Sequence, residues 1–305
     1  MKRRGKAETL NISPLERSEK DSGLPKRNSR RTAGSRNAIR ASKLEPLTFI
    51  FSLLLLVMFL FIFLTLSNMI FGQIIDDFRG LIEAAENKSV IDSILLSLYA
   101  GFLATLLAFF LGVPTGYILA RFDFPGKRLV ESIIDVPVVA PHTVAGIAIF
   151  TVFGSKGLIG GPLNNYIQFR DAVPGIVVAM LFVSLPYLAN SAREGFKSVD
   201  PRLENVARSL GAPLWKAFLF VTLPLSARHI LIGAILTWAR AISEFGAVVL
   251  IAYYPMIGPT LIYDRFLSYG LSASRPIAVL LILVTLSVFI LIRVLSASWS
   301  IYDRD

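Results

Sequence analysis

Six long apolar segments constrain the fold of this chain more than any other feature of its sequence. They lie near Leu47–Phe71, Ser93–Ala120, Leu129–Phe153, Gly175–Asn190, Ile230–Ala252 and Pro276–Leu295. A helix needs about 20 residues to cross the hydrocarbon core of a bilayer, and it must satisfy its backbone hydrogen bonds internally. Only 17% of the 305 residues are charged, too few to cover a soluble protein of this length. The sequence therefore predicts an all-α, polytopic membrane helical bundle with six transmembrane helices.

Basic residues are distributed unevenly between the two sides of the predicted bundle. Residues 1–46 hold 13 Lys or Arg against 5 Asp or Glu, and this composition predicts a disordered tail. Beyond the tail, 10 basic residues fall on the side of the N-terminus and 6 on the opposite side. Because cytoplasmic loops carry the excess of Lys and Arg, we predict a multi-pass cell-membrane protein with both termini in the cytoplasm. We interpret the tail as lying near anionic lipid and not as a nucleic-acid-binding arm.

This topology divides the chain into successive segments. A first transmembrane helix (47–71) precedes an external loop (72–92) and a five-helix core (93–296). The core contains a cytoplasmic loop at 193–229, and a short cytoplasmic tail (297–305) follows it. The external loops are too short to fold a receptor, so the capture of a soluble ligand outside would require another protein.

Part of the cytoplasmic loop has the pattern of two short helices joined at a glycine. Asp200 can cap the first helix, and Pro201 suits its first position, where no amide hydrogen is needed. One apolar face is formed by residues at i, i+3, i+4 and i+7, namely Leu203, Val206, Ala207 and Leu210. Gly211 follows, where a helix end favours a left-handed residue. Pro213 can then start a second helix, and Pro224 is predicted to end it. The pattern favours a docking element, with a helix pair lying on the membrane surface as the alternative.

Two ionisable residues, Arg240 and Glu244, fall within the fifth apolar segment. Each costs roughly 2.5–3.5 kcal/mol to insert unless it is paired or hydrated. Their i, i+4 spacing allows them to neutralise each other along one helix face. Two interpretations follow. The pair holds the bundle together internally, or it borders a hydrated translocation path together with Ser243, where Arg240 presents its charge to a passing anion.

The third apolar segment is interrupted by Pro137 and Pro141, which predict kinks because proline removes helical hydrogen bonds. His142 follows the second proline. It can cap carbonyl groups that the kink frees, or else bind a metal or carry protons, although no second ligand lies at i±3 or i±4. The chain has no cysteine, no catalytic set and no GxxxxGK[ST] phosphate-binding loop. We therefore expect no enzyme activity, cofactor or metal site, and any ATPase must be a separate subunit.

Several stretches of the core carry a resemblance to a known family. They are Tyr117–Lys127, Ile134–Pro137, Pro141–Gly146, Asn190–Phe196, Ser243–Ala247, Ala252–Pro255 and Ser274–Ile277. They are similar to the permease subunits of type-I ABC importers, and most to the molybdate/tungstate branch. The polar helix pair resembles the EAA loop of these permeases. The Glu-Ala-Ala of that loop falls on Asn205-Val206-Ala207, so only Ala207 matches, and Glu204 lies one place early. The departure from the motif suggests that its glutamate carries little weight in this chain.

The resemblance implies a type-I ABC importer permease fold and a set of partners. These are a second copy of the chain in a homodimer, two ABC ATPase subunits, an external oxyanion-binding protein and the lipid bilayer. The residues implied in coupling to the ATPase are Leu203, Glu204, Ala207, Leu210, Gly211 and Pro224. Candidates for lining the translocation path are Arg240, Ser243, Glu244 and His142. The alternatives are a permease for another solute, such as sulfate, and a secondary transporter coupled to an ion gradient.

Overall fold

The computed structural model describes residues 46–299, with side chains from 47 to 294, and it is built from helices joined by short connections. Within this range, a π-helical segment (Phe218–Thr222) lies between the ninth and tenth α-helices. The α-helices are α1 (Pro46–Asp76), α2 (Phe78–Glu86), α3 (Lys88–Arg121), α4 (Lys127–Val139), α5 (His142–Phe153), α6 (Gly160–Leu163), α7 (Val173–Ser198), α8 (Pro201–Ser209), α9 (Leu214–Ala217), α10 (Leu223–Ile242), α11 (Val248–Ile251), α12 (Gly258–Tyr269) and α13 (Leu271–Trp299).

Six helical segments are long and apolar enough to cross a membrane if α4 and α5 are counted together as one span. The other five are single helical stretches, at Leu47–Asp76, Lys88–Arg121, Val173–Ser198, Leu214–Ile242 and Leu271–Val294. The third predicted span is broken, because α4 and α5 meet at a bend of 113°. Ala140 is extended at this break (φ −64°, ψ 133°), the conformation that the following proline imposes.

Small side chains allow α3 and α7 to pack closely at the centre of the bundle. Gly112 and Gly116 of α3 face the backbone of α7 at Ala189. The buried face of α3 continues toward its N-terminal end through further small residues, at Ser93, Ser97, Ala100, Gly101, Ala104 and Ala108. Membrane helices associate through such surfaces because lipid supplies no hydrophobic force between them. On α7, Gly195 lies against His229 of α10, so α7 is enclosed between α3 and α10.

The segment 72–92, predicted as an external loop, is mostly helical. Helix α1 continues to Asp76, and α2 and α3 follow with single-residue breaks. Asp77 caps α2 by accepting a hydrogen bond from the Gly80 amide (2.8 Å), and Asn87 caps α3 in the same way through Ser89 (2.9 Å). Asp77 and Asn87 are therefore helix caps at the two breaks in this segment.

The fifth predicted span, 230–252, is shifted in the structure. Helix α10 begins at Leu223 and ends at Ile242, and the chain then leaves the helix before the short α11. Glu244 accounts for this break, because its carboxylate accepts a hydrogen bond from the Ala247 amide (2.7 Å). A side chain that bonds the local backbone competes with continuation of the helix.

The predicted terminal tails fall largely outside the described residues. The basic tail, 1–46, precedes α1 except for the residue at which that helix begins. Helix α13 runs to Trp299, past the predicted start of the C-terminal tail at 297, and the rest of that tail is outside the described range.

The Gly116→Ala variant tests the close contact between α3 and α7. A Cβ atom at Gly116 would lie 2.8 Å from the Arg193 amide nitrogen and 2.9 Å from the Ala189 carbonyl oxygen, both backbone atoms. Since the two helices would have to separate, we expect a loss of about 1–3 kcal/mol in unfolding free energy. The midpoint of thermal unfolding in detergent measures this loss. The control is Gly161→Ala, where the nearest atom would be 3.7 Å away. Equal midpoints for the two variants would contradict the packing described here.

Candidate coupling surface and charged cluster

Helix α8 begins and ends as its sequence predicts. The Asp200 side chain accepts a hydrogen bond from the Arg202 amide (2.9 Å), and Pro201 is the first helical residue. Gly211 has a φ of +93°, which L-residues with side chains rarely adopt. The Ala212 amide then bonds to the Ala207 carbonyl oxygen (3.1 Å) and closes the helix end. The chain direction after α8 therefore depends on a glycine.

The apolar face of α8 points away from the bundle. Leu203, Val206 and Leu210 are 47%, 58% and 83% exposed, while Ala207 is partly buried. A helix that belonged only to the core would turn these side chains inward. We call the surface of Leu203, Val206, Ala207 and Leu210 the coupling surface.

Glu204 points in the opposite direction, into the bundle, and it is almost completely buried. Its Oε1 accepts hydrogen bonds from Arg121 Nε (2.9 Å) and from the Thr222 hydroxyl (2.6 Å). Its Oε2 accepts a hydrogen bond from the Tyr117 hydroxyl (3.1 Å). Although Glu204 lies one place before the position of the motif's glutamate, its carboxylate joins α8 to α3 and to the π-helical segment. We call Glu204, Arg121, Tyr117 and Thr222 the glutamate anchor.

Further contacts hold the partners of Glu204 in place. Arg121 also donates a hydrogen bond to the Val199 carbonyl oxygen (3.0 Å), in the turn that leads into α8. The Tyr117 ring packs edge-on against Phe196 and Phe218, with centroid distances of 5.5 Å and 4.7 Å. These partners of Glu204 were not predicted from the sequence. The i, i+4 spacing of Tyr117 and Arg121 at the end of a span was the available signal.

The sequence predicts that Pro224 ends the second short helix, but in the structure it does not. The helical path continues from α9 through the π-helical segment into α10, where Pro224 is the second residue. The Leu223 amide donates to the Phe218 carbonyl, five residues back, which makes the preceding turn wide. The wide turn before Pro224 changes the local hydrogen-bonding pattern, so the missing amide hydrogen of the proline does not end the helical path. The predicted loop 193–229 is consequently mostly helical.

The four residues predicted along a translocation path lie together in one cluster. Arg240 Nη2 is 2.7 Å from Glu244 Oε2 and 3.1 Å from His142 Nδ1. His142 Nδ1 is in turn 3.3 Å from Glu244 Oε2, and Arg240 Nη1 donates to the Ser243 hydroxyl (3.3 Å). We call these residues the charged cluster. Among the described residues, the polar contacts of His142 are made to this cluster and not to carbonyl groups at the kink.

The charged cluster is open on one side. The Glu244 side chain is 2% exposed, whereas those of Arg240 and His142 are 18% and 50% exposed. The buried carboxylate thus balances a guanidinium that still faces an accessible space. Guanidinium groups present several donors in one plane, a geometry suited to binding oxyanions.

A secondary transporter would need ionisable groups connected across several spans, and Asp135 of α4 lies apart from the charged cluster in its hydrogen bonding. Its carboxylate accepts a hydrogen bond from the Asn190 amide of α7 (2.7 Å). Within residues 47–294, the described polar contacts do not connect it with His142 or Glu244. The arrangement therefore gives little support to a relay across the bundle.

The family model and the relatives that match this chain agree with one another. A family model described as "Binding-protein-dependent transport system inner membrane component" matches residues 112–301. The chain is 46% identical over 224 residues to a molybdate/tungstate transport system permease protein of Thermococcus kodakarensis, covering 73% of this chain and 86% of the relative. It is 42% identical over 251 residues to the protein of the same description from Methanocaldococcus jannaschii, covering 82% and 97%.

The fold is also found among solved structures. A bacterial ABC transporter involved in the import of alginate superposes with a TM-score of 0.67 at 16% sequence identity, covering 83% of this chain and 95% of that one. At this identity the likeness concerns the fold alone. The family match over most of the core and the relatives at 46% and 42% identity show a multi-pass membrane permease, and the chain belongs to the family of binding-protein-dependent transport system inner membrane components.

Proposed function

We propose that this chain is the permease subunit of an ATP-driven importer for an oxyanion of the molybdate/tungstate type. The observation that carries this proposal is the coupling surface, an exposed apolar helix face that Glu204 attaches to the membrane bundle and that ends at a left-handed glycine. The substrate class is supported by the relatives at 46% and 42% identity, which are described as molybdate/tungstate permeases. ATP hydrolysis is assigned to a separate subunit.

The coupling surface is the proposed docking site for the ATPase. Leu203, Val206 and Leu210 present apolar side chains to solvent, and the burial of such a patch by a partner is favourable. The excess of basic residues on the same side of the predicted bundle supports a cytoplasmic position for α8. Two copies of this chain, each with one ATPase subunit, would give a symmetric complex. An external binding protein would deliver the substrate, since the segments between spans are short.

The charged cluster is the proposed contact for the anion as it crosses the membrane. Arg240 supplies the positive charge, and Glu244 holds it in place from the buried side. Because Glu244 already offsets much of this charge, the cluster would attract an oxyanion without retaining it tightly. Weak retention suits a permease, since a tight site would slow release.

The Gly211→Val variant tests the docking site. No atom lies within 4 Å of a Cβ atom at this position, so the effect must come from the backbone. A β-branched residue disfavours the left-handed conformation by about 1–2 kcal/mol, and we expect the end of α8 to reorient. The ATPase should then copurify poorly, and substrate-stimulated ATP hydrolysis should fall.

Gly126→Val provides the matched control. Gly126 also has a positive φ (+85°) and open space around it, but it lies before α4. This variant should retain the ATPase, and Gly211→Asn should lose less than Gly211→Val because asparagine tolerates left-handed backbone. Normal assembly and stimulation in Gly211→Val would contradict the docking site.

The double variant Arg240→Gln/Glu244→Gln tests the charged cluster. Removing one partner alone would leave a buried charge unpaired, whereas removing both avoids that cost. If Arg240 meets the anion, the double variant should assemble but lose most oxyanion uptake in proteoliposomes. The control is Arg79→Gln, which removes an exposed pair with Glu83 that contributes at most about 1 kcal/mol. Unchanged uptake in the double variant would instead support a purely structural pair.

The substrate is tested with the complex of permease and ATPase in liposomes. Binding protein loaded with tungstate or molybdate should stimulate ATP hydrolysis and uptake more than the same protein supplied with sulfate. Equal or greater stimulation by sulfate would favour the alternative solute. Uptake that requires an ion gradient and no ATP would favour a secondary transporter.

A further inference from the structure

We propose that Glu204 is a positioning residue that fastens the coupling surface to the transmembrane helix carrying the charged cluster. Through this residue, α8 and α10 would move as one body when the ATPase closes. The inference rests on the proposed function, since it takes α8 as the docking site of the ATPase.

The Glu204 carboxylate joins α8 to two other elements of the structure. Glu204 of α8 accepts hydrogen bonds from Arg121 and Tyr117 at the end of α3 and from Thr222 in the π-helical segment. The Arg121 and Glu204 side chains are 8% and 9% exposed, so water screens their interaction only weakly. Hydrogen bonds to a charged acceptor are also stronger than neutral ones. The attachment is therefore much firmer than a surface ion pair.

A continuous helix connects the glutamate anchor with the charged cluster. Thr222 is the last residue of the π-helical segment and directly precedes α10. Helix α10 has 20 residues, a length of roughly 30 Å at 1.5 Å per residue. Arg240 lies in its last turn. A displacement of α8 would thus reach Arg240 along one continuous helix, with no flexible loop between them.

Docking of the ATPase and anchoring by Glu204 would use opposite faces of α8. Leu203 and Val206 are exposed on either side of the buried Glu204 in sequence. A partner can cover these apolar residues without displacing the carboxylate. Arg121 also holds the turn before α8 through the Val199 carbonyl, so the helix is fixed at its entry as well.

The experiment separates positioning from a contribution to stability alone. The full complex of this chain with its ATPase and binding protein is reconstituted in liposomes, with tungstate as the transported probe. The readout is the amount of tungstate imported per ATP hydrolysed. The variants are Glu204→Gln and the apolar replacement Arg121→Met/Glu204→Met. The matched control is Glu194→Gln, at an exposed glutamate whose partners are Lys197 and the neighbouring Arg193.

We expect Glu204→Gln to lower the import per ATP by about tenfold, a typical size for coupling between two sites. The apolar double variant should be more stable to heat than Glu204→Gln, because it leaves no buried Arg121 charge unpaired. Its import per ATP should nevertheless stay low, since the bonds to Tyr117 and Thr222 remain absent. Glu194→Gln should behave as the wild type.

A thiol probe gives a second, independent readout. The chain contains no cysteine, so Ser243→Cys introduces its only thiol, next to Arg240. In an otherwise wild-type chain, ATP should change the rate at which this thiol reacts with a soluble maleimide. Adding Glu204→Gln should abolish that dependence on ATP.

Two outcomes would overturn the inference. One is wild-type import per ATP in the apolar double variant, which would leave the anchor a stabilising role only. The other is an undiminished response of the thiol to ATP in the Glu204→Gln background. A wild-type complex that imports no tungstate and has no ATPase bound would instead refute the proposed function itself, and the inference with it.

Discussion

The close approach of α3 and α7 is the contact on which the rest of the bundle depends. Lipid supplies no hydrophobic force between helices, so the two helices are held by contacts between small side chains and backbone. Gly116 sits against the α7 backbone, and Tyr117 and Arg121 follow it within the next turn and a half. Their position beside the end of α7 brings both side chains within reach of Glu204. The attachment of α8 therefore follows from packing deeper in the bundle.

Two charged sites in the structure have the same chemistry and different exposure. Arg121 and Glu204 form a closed pair with hydrogen bonds from neighbouring helices. Arg240 and Glu244 form a pair that is buried on the carboxylate side and accessible on the guanidinium side. A closed pair holds elements together, whereas an accessible guanidinium can also meet a ligand. This difference in exposure is the reason why we propose anchoring for one site and anion contact for the other.

Patterns that depend on neighbouring residues in sequence were predicted well. The positions of the spans, the Asp200 cap and the left-handed Gly211 all follow from local rules of length, capping and backbone conformation. The errors arose where the backbone departs from a regular α-helix. Pro224 lies inside a continuing helical path and does not end one, because a wide π-helical turn precedes it. The break before α11 forms because Glu244 turns back to the backbone.

The sequence by itself determined that this chain is a membrane bundle with an exposed, capped helix and an ion pair in one span. Hydropathy, charge distribution and i, i+4 spacing are local quantities, and they suffice for those conclusions. Only the tertiary structure decided what Glu204 and His142 contact. Their partners lie 83 and 98 residues away, at Arg121 and Arg240. The periodicity of the sequence cannot predict contacts between residues so far apart, because these contacts depend on how α3, α5, α7 and α10 pack in three dimensions.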